Sequence, residues 1–134
     1  MADPDWLGLR HLALEVADLE VVASFYKGLF GYREEWRPDP DNVYLTSGPD
    51  NLALHRAKGP LSGSGALDHL GFVVARPAAV DDWHDRARSF GAEVLAPPRT
   101  HRDGARSFYL RDPEGNRIQI LYHPPLAPDA TRGG

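Results

Sequence analysis

The 134-residue chain contains no cysteine. Disulfide staples, thiolate metal ligands and a cysteine nucleophile are therefore excluded, and any metal must be held by nitrogen and oxygen. A cationic excess is also missing. Fifteen Lys and Arg against nineteen Asp and Glu leave a net charge of −4, and the basic residues are scattered, so there is no positive face to meet a phosphate backbone. Nucleic acid is not an expected partner. No apolar run approaches the length that spans a bilayer, and the opening Met1-Ala2-Asp3-Pro4-Asp5 is acidic where a signal peptide is basic. The expectation is a cytoplasmic protein with no membrane partner.

What is present suits one compact domain: 42% hydrophobic residues can bury a core and 25% charged residues keep it in solution. The most informative stretch is Leu67-Asp68-His69-Leu70-Gly71-Phe72-Val73-Val74, which repeats Leu9-Arg10-His11-Leu12-Ala13-Leu14-Glu15-Val16 at a separation of 58 residues. Each places a histidine in an apolar, strand-like run. Alternation puts His11, Ala13 and Glu15 on one face of the first strand and Leu12, Leu14 and Val16 on the other, buried face.

After that strand Asp18 is suited to cap a helix. Leu19, Val22, Phe25, Tyr26, Leu29 and Phe30 then recur at helical spacing until Gly31, which suits the left-handed stop, so the spacing predicts a helix over 19–30. Three strands follow: one over 32–37, a turn at 38–42, a second over 43–46, a turn at 47–51, and a third over 52–56. A Gly- and Ser-rich linker covers 58–66. The second half repeats the order with the His69 strand, a helix opening at Pro77 and carrying Val80, Trp83, Ala87 and Phe90 to Gly91, and a strand over 92–95. Residues 97–104 read as a long loop; strands over 107–110 and 117–122 flank the turn Asp112-Pro113-Glu114-Gly115-Asn116, and a loose tail follows from 124. Phe30-Gly31 matches Phe90-Gly91 and Tyr44-Leu45 matches Tyr109-Leu110, while an offset of 64 sets His55 opposite Gln119. Neither half can bury both faces of its sheet alone. The expected fold is α+β: two tandem βαβββ modules, about 9–57 and 67–123, forming a curved mixed sheet around a central cavity.

The doubled pattern, the paired histidine strands and the run Asp112-Pro113-Glu114-Gly115-Asn116-Arg117-Ile118 followed by a polar residue resemble the vicinal oxygen chelate superfamily. This superfamily includes glyoxalase I, bleomycin- and fosfomycin-resistance proteins, methylmalonyl-CoA epimerase and extradiol dioxygenases. The resemblance spans roughly residues 9–123. It implies metal ligands from the first and last strands of each half, which here are His11, His55, His69 and Gln119, and it implies a homodimer.

Taken alone, a histidine at a strand start is more often a hydrogen-bonded structural residue than a ligand. Three imidazoles and an amide converging in an apolar concavity would need either a mutual hydrogen-bond network or a metal. Such a set suits zinc, iron, nickel, cobalt or manganese. The resemblance further implies glutamate where Gln119 stands, and glutamine cannot take a proton. That disfavours glyoxalase I and epimerase chemistry and breaks the two-His-one-carboxylate iron triad. Glu15, four residues from His11 along a strand, is about 13 Å away and a poor substitute base. Tyr44, Tyr109 and His101, the last within a loop carrying Arg99, Arg102 and Arg106, are candidate substrate contacts. The expected function is a divalent-metal-dependent enzyme that chelates a small oxygen-rich molecule and stabilises an oxyanion, with lyase, isomerase, dioxygenase and transferase reactions all open. The alternative is a metal-free small-molecule-binding protein of the bleomycin-resistance type.

Overall fold

The computed structural model describes residues 5, 7–61 and 67–126. The central linker residues 62–66, the tail beyond 126 and Trp6 lie outside the described residues. The chain divides into two compact units, residues 1–62 and 63–134. Among the described residues no helix is long and apolar enough to cross a membrane.

The first unit runs β1 (His11–Val16), α1 (Leu19–Phe30), β2 (Arg33–Asp39), β3 (Asn42–Thr46) and β4 (Asn51–Arg56). Its sheet has the order β1-β4-β3-β2, with β1 parallel to β4 and the other neighbours antiparallel. The helix bounds are those the spacing predicts. Asp18 caps α1 by accepting from the Val21 amide at 3.2 Å, and Gly31 ends it at φ 74°. Leu19, Val22, Ala23, Phe25, Tyr26 and Leu29 bury one helix face, and α1 packs on β3 and β4. The sheet answers with Leu14, Val16, Val43, Leu45, Leu52 and Leu54, all buried. Each large side chain so covered contributes about 1.5–3 kcal/mol, enough to hold a helix that carries Val21, Val22 and Gly28 against their weak propensities.

The second unit repeats the order with β5 (Leu70–Val73), α2 (Pro77–Phe90), β6 (Glu93–Thr100), β7 (Arg106–Arg111) and β8 (Arg117–Tyr122). Its sheet reads β5-β8-β7-β6, again with one parallel pair, β5 with β8. A short 3-10 turn, Pro124–Leu126, follows. Helix α2 packs on β6, β7 and β8 but buries only Val80 and Ala87, and no side chain caps its start at Arg76. Phe90, expected on its apolar stripe, is 47% exposed. The α+β fold of two βαβββ modules is thus present, with neither sheet closed on itself.

Two boundaries differ from expectation for one reason. Residues 97–100 belong to β6, so the long loop over 97–104 is replaced by a hairpin turn of five residues, 101–105. Likewise Pro38 lies inside β2. Both strands are sheet edges, where a proline leaves no ladder bond unmade, and both carry register shifts near the prolines. The Asp112 turn is built as its sequence suggests: the buried Asp112 carboxylate accepts from the amides of Glu114 and Asn116, each at 2.9 Å, and from the Asn116 side chain at 2.8 Å.

Candidate functional site

Strand alternation gives each sheet a helix-covered apolar face and a second face that carries the polar residues. In the first unit, register pairs His11 with Asn51, Ala13 with Ala53 and Glu15 with His55, while β3 sets Tyr44 beside Ala53 and Asn42 beside His55. Paired residues share a face. His11, Ala53, Tyr44 and His55 therefore lie on one surface, with Trp36 stacked on Tyr44 at 5.3 Å and the Tyr44 ring edge-on to His55 at 5.9 Å.

In the second unit β8 pairs Gln119 with Gly71, and β7 pairs Tyr109 with Gln119 and Ser107 with Leu121. His69 stands just before β5, and its ring meets the edge of Tyr109 at 5.7 Å. His69, Tyr109 and Gln119 are thus brought together. His101 lies at the start of the β6–β7 turn, with its Nε2 3.2 Å from the Ser107 hydroxyl.

The two registers correct the pairing read from sequence offsets. With Tyr44 matched to Tyr109, the position equivalent to Gln119 is Ala53, and the position equivalent to His55 is Leu121. The turn from β7 to β8, residues 112–116, is one residue longer than the turn from β3 to β4, residues 47–50, and this shifts the alignment. His55 is consequently four residues along β4 from the level of His11, about 13 Å. Each ring is fastened to its own neighbour, His11 to Asn51 at 2.7 Å and His55 to Asn42 at 2.6 Å. While these bonds stand, one ion at about 2 Å from each nitrogen does not fit both.

Those bonds also fix the imidazole tautomers. The Asn51 amide nitrogen donates to Glu35 at 2.8 Å, which turns the amide oxygen toward His11. An amide oxygen only accepts, so His11 Nδ1 carries the proton and Nε2 is left with a bare lone pair. The same logic holds for His55: the Asn42 amide nitrogen donates to both Asp39 oxygens, at 2.9 and 3.1 Å, and the amide oxygen faces His55 Nδ1. His69 Nδ1 lies 2.6 Å from an Asp68 carboxylate oxygen, and this contact holds the Asp68 carboxyl below the usual range. In the neutral ring each of the three histidines thus presents Nε2 as an acceptor, the condition for a metal ligand or a base. Sequence reasoning found the histidines and missed Asn51, Glu35, Asn42 and Asp39, because a hydrogen-bond relay across three strands leaves no local motif.

Two clefts open on these faces. One, of about 660 Å³, lies in the first unit around His55, Glu15, Asp39, Asp41 and Lys58. The other, of about 650 Å³, lies in the second unit; Tyr109, Gln119 and Leu121 come from its strands, and Arg99, His101 and Arg102 from β6 and the turn. His123 also lines it, as the parity of β8 suggests. His84 of α2 is half-buried with its ring against Phe108 at 5.2 Å.

The glyoxalase/bleomycin resistance protein/dioxygenase superfamily model matches residues 8–120. The chain belongs to that superfamily. The vicinal oxygen chelate resemblance seen in the sequence is the same family. An uncharacterized protein of Pseudomonas aeruginosa, PA2024, is 33% identical over 90% of this chain and 91% of its own length. Among solved structures, lactoylglutathione lyase from Agrobacterium tumefaciens superposes with a TM-score of 0.76 at 24% identity, covering 95% of this chain and 100% of that one. A glyoxalase-related enzyme from Fulvimarina pelagi gives 0.72 at 22% identity, over 87% of this chain and 88% of that one. These two likenesses speak for the fold.

Superfamily members commonly use a divalent metal and bind small molecules. The donor chemistry here suits such an ion: bare imidazole nitrogens and the neutral oxygen of Gln119. The count within either unit is short. His69 and Gln119 are the second unit's pair, Ala53 offers a methyl group at the matching place in the first, and among the described residues no group of three His, Cys, Asp or Glu is placed to hold a metal.

Proposed function

We propose that this superfamily member is a divalent-metal-dependent enzyme acting on a small oxygen-rich molecule. His11, His69 and Gln119 act as donors, Tyr109 and His101 as substrate contacts, and the chain works as a homodimer. The observation that carries this reading is the tautomer set by Asn51 and Glu35 at His11 and by Asp68 at His69, which leaves each Nε2 free to bind. A bound divalent ion supplies Lewis acidity to a substrate oxygen. Around it, the Tyr109 hydroxyl and the Gln119 amide orient oxygen atoms. Gln119 cannot take a proton at neutral pH, and the Nε2 lone pairs of His11 and His69 are given to the ion, so none of the three donors serves as a base. His55, at its separate level in β4, is assigned to the first-unit cleft, with the Tyr44 ring edge-on to it.

Elemental analysis of protein purified without chelator tests this directly. Near-stoichiometric metal is expected, abolished in His11→Ala and in His69→Ala and retained in His55→Ala. Heteronuclear NMR of the imidazole nitrogens should show unprotonated Nε2 in all three rings of the metal-stripped chain.

A second reading, a metal-free binding protein, is favoured by Ala53 at the place matching Gln119. Failure to take up zinc, iron, nickel, cobalt or manganese would select it.

A further inference from the structure

The arginines of the β6–β7 hairpin fall into two classes. Arg106 is spent on Asp81, with bonds of 2.9 and 2.7 Å, and on Thr100 at 2.8 Å. Arg111 is spent on Glu93 at 2.9 Å. The side chains of Arg99 and Arg102 make no hydrogen bond or ion pair among the described residues, and both line the 650 Å³ cleft over Tyr109, Gln119 and Leu121.

Their placement is fixed by the backbone. Arg99 is held in β6 opposite Ser107. Arg102 sits in a closed turn in which the His101 amide donates to the Ala105 carbonyl at 2.7 Å, the Gly104 amide donates to the His101 carbonyl at 2.9 Å, and Asp103 accepts from the Ala105 amide at 3.0 Å. Gly104 takes φ 91°, which a side chain would resist. Asp103, the carboxylate at this cleft, is partly occupied by that amide bond. Two guanidinium groups therefore face the cleft against one engaged carboxylate.

We infer that the cleft binds a small organic oxyanion, with its charged head on Arg99 and Arg102 and its body on Tyr109 and Leu121. Guanidinium forks match the paired oxygens of a carboxylate or phosphate, and a cleft of this volume suits a small molecule. The Gln119 amide contacts a second oxygen of the ligand. The inference rests on the proposed function in taking this cleft as the substrate site, and it adds the ligand's charge and class.

The test uses the full chain stripped of metal on a chelating resin, titrated with benzoate, phenyl phosphate and the neutral benzamide and followed by calorimetry. At least one of the two anions should bind tenfold or more tightly than benzamide, and the stronger of them names the head group. Arg99→Ala and Arg102→Ala should each weaken that anion tenfold or more, Arg99→Lys should recover part of the loss, and Arg111→Ala should leave affinity unchanged. Added salt should weaken the anion and not benzamide. Equal binding of anion and amide, or arginine variants within twofold of wild type, would overturn the inference. Arg99 and Arg102 are exposed, so their variants should keep the wild-type unfolding midpoint. A chain that binds the anion but takes up no metal sinks the metal reading alone; one that takes up metal but binds no anion sinks this inference alone.

Discussion

The two units share one register yet differ in what they do with it. In the first, a helix with six buried residues lies on an apolar sheet face. Its exposed sheet face is ordered by two amide relays, His11 to Asn51 to Glu35 and His55 to Asn42 to Asp39, with the small Ala53 midway along β4. In the second, the helix buries two residues, and the cleft face carries Gln119 and Tyr109 beneath Arg99 and Arg102. Duplication preserves the backbone because hydrogen-bond register and the buried apolar face are shared requirements. The second face diverges, with Ala53 standing where the second unit has Gln119.

The largest expected effect tests the difference between the helices. Leu29→Ala, in a fully buried site of α1, should cost about 2–5 kcal/mol in chemical denaturation. Phe90→Ala, half exposed at the end of α2, should cost clearly less, and equal costs would erase the distinction. Next, Ala53→Gln gives the first unit the donor that the second has at Gln119. Because Ala53 is fully buried, overpacking should cost about 1–3 kcal/mol, read from the unfolding midpoint. A neutral result would mean the site has room for a ligand-type side chain.

A smaller effect comes from the caps. Asp18→Ala should lose about 0.5–2 kcal/mol, and Arg76→Asp should gain a similar amount by giving α2 the cap it lacks. The smallest is electrostatic. Arg106 holds the Asp81 carboxyl below its ordinary value, so the pair's contribution is complete above the unfolded aspartate value of about 3.9 and is lost as pH falls through the lower folded value. Wild type should therefore lose stability below about pH 4 more steeply than Asp81→Asn, followed by thermal unfolding across pH. Parallel curves would show that this exposed pair adds nothing.

Much of the fold was legible because its signals are local. The α1 bounds follow from Asp18, a 3.6-residue stripe and Gly31; the duplication follows from the two histidine strands; and the Asp112 turn carries its own hydrogen-bond donors and acceptors. The prolines misled at 38 and 97–98, since only the sheet order reveals that β2 and β6 are edges. The site was legible as residue types and not as geometry. An offset of 64 set His55 against Gln119, whereas the strand register sets Ala53 there, and a one-residue difference between two turns is invisible until strands are paired.

By itself the sequence determined both helices, the repeated module and the family, because capping, periodicity and turn chemistry act over a few residues. Only the tertiary structure decided which side chains meet. Cross-strand register turned Asn51 and Asn42 toward imidazoles, separated His55 from His11 by about 13 Å, and set Arg99 and Arg102 over a cleft, their side chains unpaired among the described residues. Those contacts join residues up to 40 positions apart, and no local pattern encodes them.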